Sequence, residues 1–195
     1  AKAIKSGAEF KVGDYKKGST VDGQAFTLVV TDVTDEYVRF ESRDCVGEEV
    51  EWNKNGGTQL GYPGSDVHKY LNKGLFERLP EDLRKVISLA ERKTLRDGET
   101  VSFNTYLFLP TASEVFDEDD CYGDEGLYEQ MKYYKDRRNR MRGSAEGEDT
   151  CGWWLASVGS GPSTCACDVC YNGYASHWSA SNALRVPVCF IIKKS

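Results

Sequence analysis

Trp153-Trp154-Leu155, then ASVGSGPSTCACDVCYNGYASHWSASNA over residues 156–183, then Leu184-Arg185-Val186-Pro187 form the most informative passage of the chain. The middle 28 residues hold one charged group, Asp168, although 29% of the whole chain is charged. Lys, Arg, Glu, Gln, Met, Leu, Ile and Phe are absent from them; small residues, three cysteines, two tyrosines, one histidine and one tryptophan stand instead. On either side lie segments that read as core strands, 153–155 and 186–192. A Gly/Ser-rich loop of this length seldom carries so many aromatic and thiol side chains, and the composition is closer to that of a binding surface.

Outward from that passage, the order of elements reads as α+β, with small mixed or antiparallel sheets, two or more helices and long loops. Phe10 to Asp14 reads as a short strand and turn. The β-rich runs Phe26–Val33 and Tyr37–Ser42, split by Thr34-Asp35-Glu36, predict an antiparallel hairpin. Ser65 can cap a helix carrying Val67, Tyr70, Leu71 and Leu75 at helical spacing. Pro80 suits the first turn of another, with Leu83, Val86 and Ile87 on one face. Tyr106–Leu109 reads as a buried strand, and Thr111-Ala112-Ser113-Glu114 as a capping box. Residues 126–142 read as a surface helix with a basic end (Lys132, Lys135, Arg137, Arg138, Arg140, Arg142), able to dock a partner through Leu127 and Met131. Trp153 and Trp154 alternate along a strand and should face opposite sides of a sheet.

One domain spanning residues 1–195 is expected, large enough for a real core. Net charge is −6, which disfavours general nucleic-acid binding. Neither a bilayer-length apolar run nor a signal-peptide core is present, so synthesis in the cytoplasm without a membrane span is expected. Seven cysteines without framework spacing argue against a disulfide scaffold.

Several motifs resemble a bacterial and phage domain family of unknown function. Ser65-Asp66-Val67-His68-Lys69-Tyr70-Leu71-Asn72 is similar to its "S-x-I-R-x-W-L-N" element, and Tyr106 to Phe116 to its "K-V-F-L-L-S-x-x-E-v" element. Trp153-Trp154-Leu155-Ala156-Ser157 matches "W-W-L-R-S", and Gly173 with Arg185-Val186-Pro187 matches "G…G-V-R-P". Pro63-Gly64 stands where a Trp is usual, and Ala156 replaces an Arg. The resemblance spans about residues 10–192 and implies a C-type-lectin-like fold, related to that of the formylglycine-generating enzyme.

Some members of that group are variable proteins of diversity-generating retroelements, whose reverse transcriptase randomises adenines in Asn codons. From such codons Lys, Glu, Gln, Met and Trp are unreachable, and every residue of 156–183 except Trp178 belongs to the reachable set. The resemblance therefore implies a receptor-recognition protein of a phage tail, virion or cell surface. It would bind a protein or cell-surface ligand through a variable region of about 156–184, with homo-oligomerisation left open. Rigid tips Tyr171, Tyr174 and Trp178 would supply contact area. Ser160, Ser163, Ser176, Ser181, Cys167, Cys170, Asp168 and His177 would add adaptable contacts.

The residues bear on other chemistries too. Cys165-x-Cys167-x-x-Cys170 with His177 has the ligand types of a zinc tetrad, but no second Cys pair closes it, and the expectation is no metal and no cofactor. A formylglycine-generating oxidase relative is the enzymatic alternative, yet the environment of Cys165 to Cys170 and Cys189 lacks its motif, so no enzyme activity is expected. Cys189 reads as a buried small hydrophobe, and His68 as a surface or capping group. The acidic loop 117–125 lacks an EF-hand pattern and reads as solvated.

Overall fold

The structure is a computed structural model and describes residues 9–96, 98–117, 126–159 and 164–194. Strands β1 (Tyr15–Ser19), β2 (Ala25–Val33) and β3 (Tyr37–Ser42) run antiparallel. Strand β13 (Cys189–Lys193) adds to β3, giving a sheet in the order β1-β2-β3-β13. The expected hairpin is thus present. Phe10 to Asp14, however, is a turn, and the first strand begins only at Tyr15.

Both faces of this sheet are covered, for different reasons. Phe26, Leu28, Val30, Val38 and Phe190 point into the main apolar core, with Trp52, Leu71, Leu75 and Trp154. On the other face of β3 stand Arg39 and Glu41, both buried. Arg39 pairs with Glu41 at 2.9 Å and Glu114 at 2.5 Å; Arg142 pairs with Glu41 at 2.7 Å, and Arg92 with Glu114 at 2.5 Å. Tyr134 donates its hydroxyl to Glu41. Charges taken out of water persist only when so paired.

Ser65 caps the helical stretch as expected: its side chain accepts from the His68 amide at 3.2 Å. The stretch runs through Asp66–Lys69, a π-helical Tyr70–Leu75 and Phe76–Arg78. Asn72 ties it to the next segment by donating to the Leu107 carbonyl at 2.9 Å and accepting from the Leu107 amide at 3.0 Å. His68 is half-buried, with Nε2 3.1 Å from Thr105 Oγ1. Pro80 lies just before the one-turn helix Glu81–Arg84. Tyr106–Leu109, expected as a strand, makes only an isolated bridge between Phe108 and Cys189, although Leu107 to Leu109 are buried. Cys189 is itself buried.

A hairpin unforeseen from the sequence joins β5 (Ala90–Arg96) to β6 (Glu99–Thr105). Its signal was Asp97-Gly98 between two equal runs, the pairing of Arg96 with Glu99 leaving room for two residues. Gly98 has φ +80°, which such turns require.

Residues 126–142 are not an α-helix. They form two 3₁₀ turns, Lys132–Lys135 and Arg137–Arg140, broken at Asp136, whose carboxylate accepts from the Arg138 amide at 3.0 Å. Nor does the whole basic end lie on the surface, although Lys132, Lys135, Arg137 and Arg138 are exposed. Arg140 and Arg142 are buried, Arg140 lying 4.8 Å from the Phe116 ring and Arg142 4.5 Å from that of Trp153. Glu41 on β3 draws Arg142 inward and Arg140 donates to the Tyr134 carbonyl at 2.8 Å, so sequence-local charge patterning misled. The capping box at Thr111 is present, opening the helix Ala112–Val115.

Among the described residues, no helix is long and apolar enough to cross a membrane. Short antiparallel pairs complete the architecture: β4 (Val50–Glu51) with β12 (Ala183–Leu184), and β7 (Arg142–Gly143) with β8 (Thr150–Cys151). The fold is α+β.

Candidate ligand-binding face

The charge-poor passage folds mainly as strands rather than as a long loop. β9 (Trp153–Val158), β10 (Cys165–Val169) and β11 (Ala175–Ser179) form an antiparallel sheet in the order β11-β10-β9. Trp153 and Trp154 do face opposite sides. Trp154 enters the main core; Trp153 enters a second one with Val115, Phe116, Tyr134 and Val169. Their indole N–H groups donate to Val50 and Arg140 carbonyls, each at 2.8 Å. Two indole anchors and two cores hold β9 from both sides, and β10 and β11 are built outward on that support.

Alternation then sorts the residues of this passage by face. Ala166, Asp168, Ser176 and Trp178 share the face of Trp154, whereas Cys165, Cys167 and His177 share that of Trp153. Trp178, Tyr174 and Tyr171 are 53%, 52% and 63% exposed, and His177 and Ser181 are exposed too. Cys170 and Ser176 are half-buried. Cys167 is only 1% exposed, its thiol donating to the Val158 carbonyl at 3.4 Å, so it belongs to the core. Asp168 is 3% exposed, also turned inward. Ser160 and Ser163 lie outside the described residues, as does all of the acidic loop beyond Asp117.

The hairpin tip rests on a support that no local motif announced. The Arg137 guanidinium lies 4.7 Å from the Tyr174 ring and donates to the Asn172 carbonyl at 3.3 Å. Gly173 has φ +82°, and a Cβ there would meet the Arg137 carbonyl at 3.0 Å and Met141 Cγ at 3.1 Å. The second 3₁₀ turn of the basic segment, Arg137–Arg140, with Met141 after it, thus serves as the bed of the hairpin.

Electrostatics at the face are dominated by Asp168. Burial pushes its carboxyl up to about 7, a hydrogen bond with Ser176 offsetting only part of the shift. Its Oδ1 has no hydrogen-bond partner among the described residues. Zinc fares poorly on geometry. Cys165 and Cys167 lie on β10 and Cys170 just past its end, so the extended backbone holds Cys165 and Cys170 well apart. A tetrahedral site needs every sulfur about 2.3 Å from the metal. Among the described residues no three His, Cys, Asp or Glu side chains are grouped to hold a metal.

A family model described as "Domain of unknown function (DUF6273)" matches residues 27–194. No curated protein and no solved structure matches the chain.

Proposed function

The chain belongs to the DUF6273 family of domains of unknown function, and from its geometry we propose that it is a ligand-binding protein that recognises its target through the β10–β11 hairpin. One observation carries the reading. Tyr171, Tyr174 and Trp178 stand more than half exposed on a hairpin that Ala166, Cys167 and Val169 anchor in two cores. Exposed aromatic groups on an anchored frame give contact area at little entropic cost. The recognition is binding without chemistry.

The finer assignments belong to the same proposal. The architecture is C-type-lectin-like, an assignment that the small antiparallel sheets and short helices support. The hairpin is diversified by a retroelement, and the protein acts at a phage tail, virion or cell surface against a protein or cell-surface ligand. Support comes from the residue alphabet at exposed positions: Tyr171, Tyr174, His177 and Ser181 are all reachable from an Asn codon by adenine changes. Trp178 does not.

Two experiments test this. A reverse-transcriptase gene and a near-copy repeat bearing adenines at these codons are expected beside the coding sequence; their absence sinks diversification and leaves the binding reading standing. Labelled protein is expected to bind intact host bacteria saturably, and Y171A/Y174A/W178A to lose that binding while unfolding at nearly the wild-type temperature. Unchanged binding by the triple variant would remove the hairpin from the site.

A further inference from the structure

The basic run that the hairpin does not absorb leads to a second site. Between the 11–14 turn, the end of β3 and the two 3₁₀ turns lies a cleft of about 790 Å³. Lys11, Arg43 and Lys132 line it, all exposed, and none has an ion-pair partner among the described residues. Most other arginines among the described residues have a carboxylate partner: Arg138, at the rim of the same cleft, is held by Asp136 at 2.7 Å. Lys11, Arg43, Lys132 and Arg138 outnumber Asp44 and Asp136 around this concavity, so on a protein of net charge −6 it is locally net positive.

The rest of the lining says what kind of anion fits. Tyr133 and Met141 give an apolar wall, with Tyr133 fixed through its carbonyl by Asn139 at 2.7 Å. Asp44 presents a carboxylate whose Oδ1 already accepts from the Gly143 amide at 2.8 Å, leaving Oδ2 to accept from hydroxyls. The volume falls within the range of small-molecule sites. A phosphate monoester carries about −1.5 to −2 charges at pH 7, matching several cations better than a single carboxylate would. A long polyanion would leave this cleft for an acidic surface.

We propose that the cleft binds a phosphorylated sugar, its phosphate on Lys11, Arg43 and Lys132, its ring against Tyr133 and Met141, and its hydroxyls toward Asp44. The cleft borders the hairpin through Met141, but its assignment does not depend on the hairpin's role.

Calorimetric titration of the full chain with glucose 6-phosphate, in low-salt buffer free of phosphate, tests the assignment. Saturable binding is expected, weakened at least about tenfold in R43Q/K132Q and by added salt. Glucose should give no heat, and inorganic phosphate and glucuronate should bind more weakly than glucose 6-phosphate. The assignment is overturned by any of four results. These are no saturation up to about 10 mM, equal affinity in R43Q/K132Q with its circular dichroism unchanged, inorganic phosphate or glucuronate binding as tightly as the sugar phosphate, and an oligonucleotide binding more tightly. K11Q, altered in the exposed 11–14 turn, serves as the second variant and should weaken binding in the same direction.

Discussion

Asp168 and Glu114 are both buried carboxyls, and their neighbours set them at opposite ends of the scale. Asp168 has only Ser176 to offset burial, so its folded pKa stands at about 7 against an ordinary 3.8. The fold then binds a proton that the unfolded chain releases, and stability falls as pH rises from about 4 to about 7. The loss amounts to at most about 4 kcal/mol. Urea unfolding of D168N should show that decline removed, with a gain of about 1–3 kcal/mol at pH 8 and little difference at pH 4; parallel wild-type and variant profiles would refute the assignment. For Glu114, burial alone would raise the pKa, but Arg39 and Arg92 outweigh it and hold the group at about 2. Its contribution is present above the unfolded value of 4.5 and is lost as pH falls toward 2. E114Q leaves two buried guanidiniums under-compensated and should cost about 3–5 kcal/mol at pH 7, a penalty that shrinks in acid. Neither environment could be read locally, because Arg39 is 75 positions from Glu114.

Elements repeat the lesson at greater length. The hairpin β2–β3, the cap at Ser65 and the capping box at Thr111 were legible, since each rests on contacts within a few residues. β5–β6 was equally local, but its inward positions Ala90, Arg92 and Thr94 include a charge and a hydroxyl rather than an apolar series, which hid the period. The basic segment failed as a helix where Arg142 takes its counter-charge from Glu41 on β3 and where Arg140 and Arg142 lie against the rings of Phe116 and Trp153. Gly173 shows how closely that segment and the hairpin are fitted. G173A must take a left-handed backbone and press a methyl on Arg137 and Met141, and should cost about 1–2 kcal/mol. Amide exchange should quicken at residues 170–176 more than in β2 and β3; uniform quickening would mean the tip is not a separately supported element. Within the proposed variable passage, sibling copies should differ at Tyr171, Tyr174, His177 and Ser181 while Ala166, Cys167, Val169 and Ala180 stay small or apolar. Variation spread evenly over both sets would contradict the burial pattern.

At the scale of the whole molecule, β9 and β13 bind the fold together. β9 sends Trp154 into one core and Trp153 into the other, and β13 supplies Cys189, Phe190, Ile191 and Ile192 to the main core. Truncation before Cys189 should therefore abolish cooperative unfolding altogether rather than lower the transition by a few degrees. A truncated chain with a sharp, native-like transition would show that β13 is dispensable. The sequence by itself determined the α+β class, the β2–β3 hairpin, the two caps, the opposed tryptophans and the singular passage at 156–183. These follow from periodicity, turn chemistry and composition, which act over a few residues. Tertiary structure alone decided that this passage is a sheet with inner and outer positions, turning Cys167 and Asp168 inward while leaving Tyr171, Tyr174 and Trp178 out. It also drew Arg140 and Arg142 inside, and left Lys11, Arg43 and Lys132 around one cleft. Burial and charge pairing depend on which distant strands meet, and no local window of sequence contains that.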